Sequence, residues 1–432
     1  MRRRSSEPRK TQLGNRARGR SEPFQTTARL AQGRERTLTE TDSLPLILQA
    51  ALDVMARQRA AGEPLDRVAA DVARERHLGP RERRAVADLV FSWARHARVV
   101  QGLIDDAVAQ ERGMVPRRRL LDLTALCLAS IANGVDVDAR ALVALPDVLR
   151  VLVDDAAAVG LHLPTSLPPW LRLRLEAGFA ERAPALIEAL GKPAVPVLCV
   201  DPQRAGVDEV IAALRAQGAT GVASSLSPQG VRVIDGRFSL QKLPRPIAAA
   251  CWPMDDGSQT VALSVGAVPG ERVLDLCAGG GGKARLLAQS GATVVAADVD
   301  AGRLLKSLPA GVQGVIADGL HTPFAPASFD RVLVDAPCSG TGTLRRAPDL
   351  ALRLVEEDLP PLLDLQRALL KTALSLVKPG GVVVYATCSL LRSENEDVVD
   401  SVIGAGVTRA SPDRHLLPPE CDGFFIARLV RS

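Results

Sequence analysis

A chain of 432 residues, 47% of them hydrophobic and 24% charged, can bury a sizeable core and has room for two or three domains. Its apolar runs end at Asp, Lys or Pro before the ~18 residues a membrane helix needs, and its basic start leads into no apolar segment with a cleavage site. Neither a membrane anchor nor a secretory signal is therefore expected, and the protein is expected in the cytoplasm, while the net charge of +5 is local, with +7 in residues 1–40 and −2 in the rest.

Residues 1–40, rich in Arg, Ser, Gly and Gln, cannot bury enough surface to fold alone and read as a disordered basic tail that would attract phosphates. From about Thr41 the spacing turns helical. Leu48, Leu52 and Met55 share one face, Thr41-Asp42-Ser43 offers N-caps and Gly62-Glu63-Pro64 a stop. Asp66–His77, Pro80–Gln101 and Val115–Ala132 repeat the pattern, giving an all-α domain over 41–163. The breaker cluster at Leu163–Trp170 opens a linker and a small α/β section over 164–256. There Pro196–Asp201 reads as a strand, Gly206–Gln217 as a helix, and Gly230–Ile234 with Arg237–Leu240 as a hairpin around Asp235-Gly236.

Over 257–432 short β-branched runs alternate with helices. Arg272–Leu276, Thr293–Ala297, Gly311–Ala317, Arg331–Val334 and Gly381–Ala386 are near-continuous apolar strands, as expected of a parallel sheet covered on both faces, and Gly423–Val430 is a sixth, antiparallel edge candidate. In such a doubly wound α/β domain ligands lie beyond the carboxyl ends of the strands, so the residues there carry the chemistry.

After the first strand comes Cys277-Ala278-Gly279-Gly280-Gly281-Gly282-Lys283, a turn where backbone can approach a carboxylate or phosphate at a helix start. Gly279, Gly281 and Ala284 satisfy G-x-G-x-x-G/A and Asp298 ends the next strand, a pattern shared by dinucleotide and S-adenosylmethionine sites. The fourth strand runs into Asp335-Ala336-Pro337-Cys338 and the fifth into Thr387-Cys388-Ser389, which puts two thiols at the ligand edge; a nicotinamide enzyme has no evident need for either. The seven cysteines form no C-x-x-C pair and no histidine stands at metal-ligand spacing, so neither a disulfide framework nor a metal is expected.

At these residues the chain resembles the RNA 5-methylcytosine methyltransferases of the NOL/NOP2/Sun group. The resemblance rests on PGERVLDLCAGGGGK (269–283), ADVD (297–300), DAPCSGTGT (335–343), RRAPDL (345–350), YATCSLLRSENEDVV (385–399) and DGFFIARL (422–429). Residues 41–163, with VARERHLGPRERRAVADLVFSWARH (72–96), are similar to the NusB-like helical RNA-binding domain of its bacterial ribosomal members. The resemblance implies a C-terminal Rossmann-like (class I) S-adenosylmethionine-dependent methyltransferase domain acting on naked or early small-subunit rRNA, as a monomer and away from membranes. It assigns Cys388 as the thiol that adds to cytosine carbon 6, Cys338 to the release step and Asp335 to the ring nitrogen N3. Cys277 to Lys283, Asp298, Asp318 and Asp335 would hold the cofactor, Asp298 at its ribose and Asp318 on its adenine side. Arg345 and Arg346 are candidate phosphate contacts at the mouth of the site. Two departures stand out: the cofactor loop lacks the group's proline and threonine, and Cys199-Val200-Asp201 replaces its Arg-Val-Asn. Three other readings remain open from the residues: a non-catalytic assembly factor, an amino-group methyltransferase, and the same reaction with Cys338 attacking.

Overall fold

The computed structural model describes residues 44–110, 116–135, 137–404 and 406–432. The basic tail, the cap candidates Thr41–Ser43 and Val115 lie outside the described residues. Six helices come first: α1 (Leu46–Ala61), α2 (Leu65–Glu75), α3 (Pro80–Gln110), α4 (Arg118–Ala132), α5 (Ala139–Val143) and α6 (Asp147–Val159). Pro45, Pro64 and Pro146 stand immediately before α1, α2 and α6, where a fixed φ and a missing N–H cost nothing. Gly62, at φ 63°, ends α1 in the left-handed conformation that suits glycine. The helices bury Leu52, Met55, Leu65, Ile104, Leu126 and Leu149 in one apolar cluster, each such side chain worth about 1.5–3 kcal/mol of transfer free energy. Helix α3 runs nine residues past the predicted Gln101, because Ile104 continues its buried stripe.

The helices Pro169–Phe179 and Ala183–Gly191 pack Leu171, Leu175 and Ile187 against Leu344, Leu359, Leu390 and Leu391 from much later in the chain. Next is a four-stranded sheet of β1 (Val197–Val200), β2 (Thr220–Ala223), β3 (Gly230–Asp235) and β4 (Cys251–Pro253), in the antiparallel order β2-β3-β1-β4. The helix Val207–Arg215 joins β1 to β2. The predicted hairpin around Asp235-Gly236 does not form. Strand β3 is flanked on both sides, by β2 and β1, so residues 237–240 have no free edge to pair with. Gly236 instead turns the chain across Gly218 at φ 81°, where a Cβ would lie 2.4 Å from the Gly218 carbonyl oxygen. Ser239 is then held by Gln217 through both its N–H and its carbonyl.

The remaining strands form one sheet: β5 (Arg272–Asp275), β6 (Thr293–Asp298), β7 (Gln313–Ile316), β8 (Phe329–Asp335), β9 (Val377–Thr387), β10 (Val407–Arg409), β11 (Arg414–Leu416) and β12 (Phe424–Arg431). The order is β10-β12-β9-β8-β5-β6-β7, with β11 also paired to β12; β7, β6, β5, β8 and β9 are parallel. Strand β12 is antiparallel to β9 as expected, but it is not an edge, since β10 and β11 cover its other side. Alternate residues feed two cores. Leu274, Val332, Val334 and Tyr385 meet the helix Leu359–Leu376, while Val273, Leu333 and Val384 meet the helices Asp256–Ser264 and Gly282–Ala288. The chain leaves β5 toward β6 and β7 and returns on its other side as β8, so the crevice beyond β5 and β8 is the switch point where ligands bind.

The segment following β8 ties these parts together. Asp349 Oδ2 accepts from the Leu65 N–H at 3.1 Å, Arg95 donates to the Arg345 carbonyl at 3.0 Å, and Arg98 to the Ala351 carbonyl at 3.2 Å. The six-helix section is therefore hydrogen-bonded to the loop that leaves the sheet edge.

Candidate active site

Strand β5 delivers the glycine loop to the switch point. Gly279 (φ 55°) and Gly281 (φ 75°) take left-handed backbone that a side chain would strain, and a Cβ on Gly281 would come within 2.9 Å of Pro309. The Gly281 N–H is used within the turn, on Ala278, and the Gly279 N–H donates to Asp298 Oδ2 at 2.7 Å. The amides of Gly280 and Gly282 have no partner among the described residues and both glycines are exposed, so the loop retains donors for an anionic group. Cys277 and Ala278 are half-buried on the approach, and burial pushes the Cys277 thiol well up.

Asp298, at the end of β6, is 5% exposed and fully engaged: Oδ2 takes the Gly279 N–H, and Oδ1 takes the Asp300 N–H at 2.8 Å and Arg303 at 3.1 Å. It shapes the loop as much as it faces the crevice. Asp318 is exposed beyond β7, where it accepts from Leu320 N–H at 2.9 Å and pairs with His321 at 3.0 Å, which lowers its pKa. None of its hydrogen bonds reaches another member of the predicted set. A glycine cradle with free amides beside an acid on the neighbouring strand fits the polar parts of S-adenosylmethionine.

Lys283 leaves the loop toward β8, and its Nζ donates to Asp335 Oδ2 at 2.6 Å. Burial opposes its charge, but Asp335, Asp275 and the nearby Cys388 sulfur outweigh that and raise its pKa. Asp275, beneath them, is wholly buried with neither carboxyl oxygen hydrogen-bonded by a side chain, and burial followed by the Asp335 charge pushes it up to about 7.

The two predicted thiols meet. Cys338 Sγ and Cys388 Sγ lie 3.3 Å apart at the ends of the adjacent strands β8 and β9, both half-buried and neither in a disulfide. The contact with Cys388, reinforced by burial and by the Glu394 charge, holds the Cys338 thiol far above the ordinary range. Either sulfur can be the donor across this contact.

Glu394 is a residue that sequence reasoning left unassigned. It is fully buried and accepts four hydrogen bonds: the Ser339 N–H at 2.8 Å, Gln366 Nε2 at 3.0 Å, and the hydroxyls of Ser339 and Ser389. Asn395 beside it donates to the Ser389 carbonyl at 3.0 Å and accepts from Thr387 at 2.6 Å. One carboxylate therefore rivets the residue after each cysteine. Glu394-Asn395 lies in the polar run Arg392–Asp397 shortly after Cys388, and nothing in that pattern set the pair apart from its charged neighbours.

Arg345 and Arg346 are not the phosphate contacts expected of them. Arg345 is 6% exposed and donates to the carbonyls of Pro419 and Cys421. Arg346 bridges Asp255 and Asp422 at 2.6 Å each. Both bolt the sheet edge to the middle section. Above them a cavity of about 610 Å³, lined by Pro196, Met254, Lys283, Arg346 and Phe424 among others, opens between the two sheets beside the glycine loop.

This arrangement has relatives. The family model for the 16S rRNA methyltransferases RsmB/F matches residues 262–430, and one for the ferredoxin-like domain of the same proteins matches 167–237. Ribosomal RNA small subunit methyltransferase B of Xylella fastidiosa (strain 9a5c) is 35% identical over 289 residues, spanning 61% of this chain and 68% of that protein. A methyltransferase homolog from Pyrococcus horikoshii has a TM-score of 0.53 at 27% identity over 60% of this chain and 93% of its own. The fold of PH0851 extends further, with a TM-score of 0.71 at 21% identity over 89% of this chain and 98% of that one. With two thirds of a relative's length matched at this identity, and with the thiol pair, glycine cradle and class I methyltransferase sheet in place, the chain belongs to the RsmB/F family of 16S rRNA methyltransferases.

Proposed function

We propose that this protein methylates carbon 5 of a cytosine in 16S rRNA, using Cys388 as the nucleophile and S-adenosylmethionine as the methyl source. The observation that carries the reading is the thiol pair: two sulfurs 3.3 Å apart at the active edge. Carbon 5 of cytosine is too weak a nucleophile to attack a sulfonium methyl unaided, and a thiolate on carbon 6 turns the ring into an enamine. Cys388 forms that bond, with the Lys283 ammonium close enough to stabilise negative sulfur. Lys283, which donates to Asp335 at 2.6 Å, relays through that carboxylate the proton that N3 gains as the adduct forms. The loop Cys277–Lys283 with Asp298 and Asp318 would hold S-adenosylmethionine, which would supply an electrophilic methyl for carbon 5, its sulfonium–methyl bond breaking to leave the neutral thioether. Cys338 then serves the release step: as a thiolate, its own proton given up to solvent, it takes the carbon-5 proton directly or through water, carbon 5 and carbon 6 regain their double bond, N3 returns its proton to the Asp335 carboxylate, and the bond from carbon 6 to sulfur breaks so that Cys388 leaves as a thiolate.

A base inside a duplex hides carbon 6, so the target is an unpaired or extruded cytosine. Helices α1 to α6 are read as the NusB-like RNA-binding part over 41–163, with 164–256 as linker and small RNA-facing section and 257–432 as the catalytic domain. The protein would work in the cytoplasm as a monomer on naked or early-assembly rRNA; among the described residues no helix is long and apolar enough to cross a membrane.

The test is to incubate Cys338→Ala and Cys388→Ala with S-adenosylmethionine and naked 16S rRNA. Cys338→Ala should accumulate a protein–RNA adduct that survives denaturing electrophoresis, and Cys388→Ala should neither trap nor methylate. The reverse pattern would make Cys338 the nucleophile. No transfer by the wild-type protein, with RNA binding intact, would leave a binding role only.

A further inference from the structure

Outside the catalytic crevice a second groove, of about 860 Å³, runs between the start of α3 and the turn that follows β3. Arg81 and Arg84 project from the first turns of α3, and Arg237 and Lys242 from the segment after β3; all four are exposed. None has an ion-pair or side-chain hydrogen-bond partner among the described residues, and Asp88 is the one carboxylate lining the groove. The four cations thus face one groove together. Past residue 40 the chain is slightly acidic, and its other arginines are commonly matched, as in Arg57–Glu75, Arg59–Asp122, Arg76–Asp53 and Arg174–Glu356.

The groove is also built in place and connected. The two hydrogen bonds between Gln217 and Ser239, and the close approach of Gly236 to Gly218, fix the segment carrying Arg237 and Phe238. The half-buried Phe238 lines both this groove and the cavity beside Lys283. One aromatic ring therefore stands at the junction between the reaction site and four unmatched cations. A base can stack on such a ring while the following phosphates run along the positive charges, which is how proteins hold single-stranded nucleic acid.

We infer that this groove is the track for the single-stranded RNA flanking the target nucleotide, with Phe238 stacking a base at the exit of the catalytic cavity and Arg81, Arg84, Arg237 and Lys242 neutralising its phosphates. The inference rests on the reading above that the substrate is RNA. It makes α3 and the middle section joint parts of one binding surface, although they are far apart in sequence.

The experiment measures binding of a fluorescein-labelled 16-nucleotide oligocytidylate by anisotropy across a salt series, alongside methyl-transfer kinetics on naked 16S rRNA. The variants are R81A/R84A/R237A/K242A, the all-Lys version of the three arginines, and F238A. The fourfold alanine variant should bind roughly 10–100-fold more weakly near 0.1 M salt, and its slope of log K against log[salt] should be shallower by about 3. Its KM for rRNA should rise with kcat kept, and the lysine version should retain the wild-type salt slope. F238A should weaken binding without altering the slope. Unchanged affinity and slope in the fourfold variant, with unchanged thermal unfolding, would overturn the inference and leave the groove to an acidic protein partner. If the wild-type protein transfers no methyl yet the oligonucleotide shows these losses, the track stands and the catalytic reading falls.

Discussion

Glu394 offers the sharpest test of how the site is held. Its carboxylate accepts from the Ser339 N–H, Gln366 and two serine hydroxyls, all inside protein. In Glu394→Ala the Ser339 N–H and one Gln366 hydrogen lose their acceptor; at about 1–3 kcal/mol for each orphaned buried group, stability should drop by roughly 2–6 kcal/mol. Glu394→Gln should behave differently. Its oxygen can still serve the Ser339 N–H and Gln366, while its NH2 faces two hydroxyls that can turn to accept. Thr341 Oγ1 lies 3.2 Å from Ser389 Oγ and can take the displaced hydroxyl proton, so a loss of about 1 kcal/mol is expected. Catalysis should follow the same order, because a displacement of about 1 Å between reacting groups costs about 100-fold. Urea unfolding and kcat on naked 16S rRNA measure both effects. Glutamine as damaging as alanine, or alanine with an unshifted urea midpoint, would refute the claim that this carboxylate spaces the thiols through its hydrogen bonds.

Three further outcomes are expected. Gly281→Ala, forced into left-handed backbone against Pro309, should lower stability by about 1–2 kcal/mol and weaken S-adenosylmethionine binding in calorimetry, whereas Gly280→Ala, whose Cβ has 3.5 Å of room, should do neither. Asp275 titrates near 7 in the fold against about 3.9 unfolded, so the folded state binds the extra proton between these values. Its stabilising contribution is full below pH ~4 and is lost as the pH rises through 7, at up to ~1.4 kcal/mol per pH unit. Urea midpoints from pH 5 to 8 should fall for the wild-type protein and fall less for Asp275→Asn, the remaining slope coming from Asp422, which is raised to about 6. Arg346→Ala leaves Asp255 and Asp422 facing each other without their shared cation, and should cost about 3–5 kcal/mol at pH 8, less at pH 5, where Asp422 can protonate.

The sequence by itself determined what depends on local pattern. The 3.6-residue periodicity predicts α1, α2 and α4 closely, and the apolar runs predict β5, β6, β8, β9 and β12, because strands covered on both faces leave no polar positions. The position of Cys338 and Cys388 at strand ends was also legible, since each follows directly on such a run. Tertiary structure decided what depends on neighbours distant in the chain. Asp235-Gly236 has the composition of a hairpin turn, yet β3 already has β1 and β2 on its two sides, so the chain goes elsewhere. Arg345 and Arg346 look like surface cations until the acids and carbonyls that bind them arrive from more than 70 residues away. Glu394 reaches Ser339 across 55 residues, and the sulfurs meet across 50. A polar or charged side chain announces only that it needs a partner; which partner it finds, and so whether it binds substrate or binds the protein to itself, is settled when the sheet brings its strand ends together.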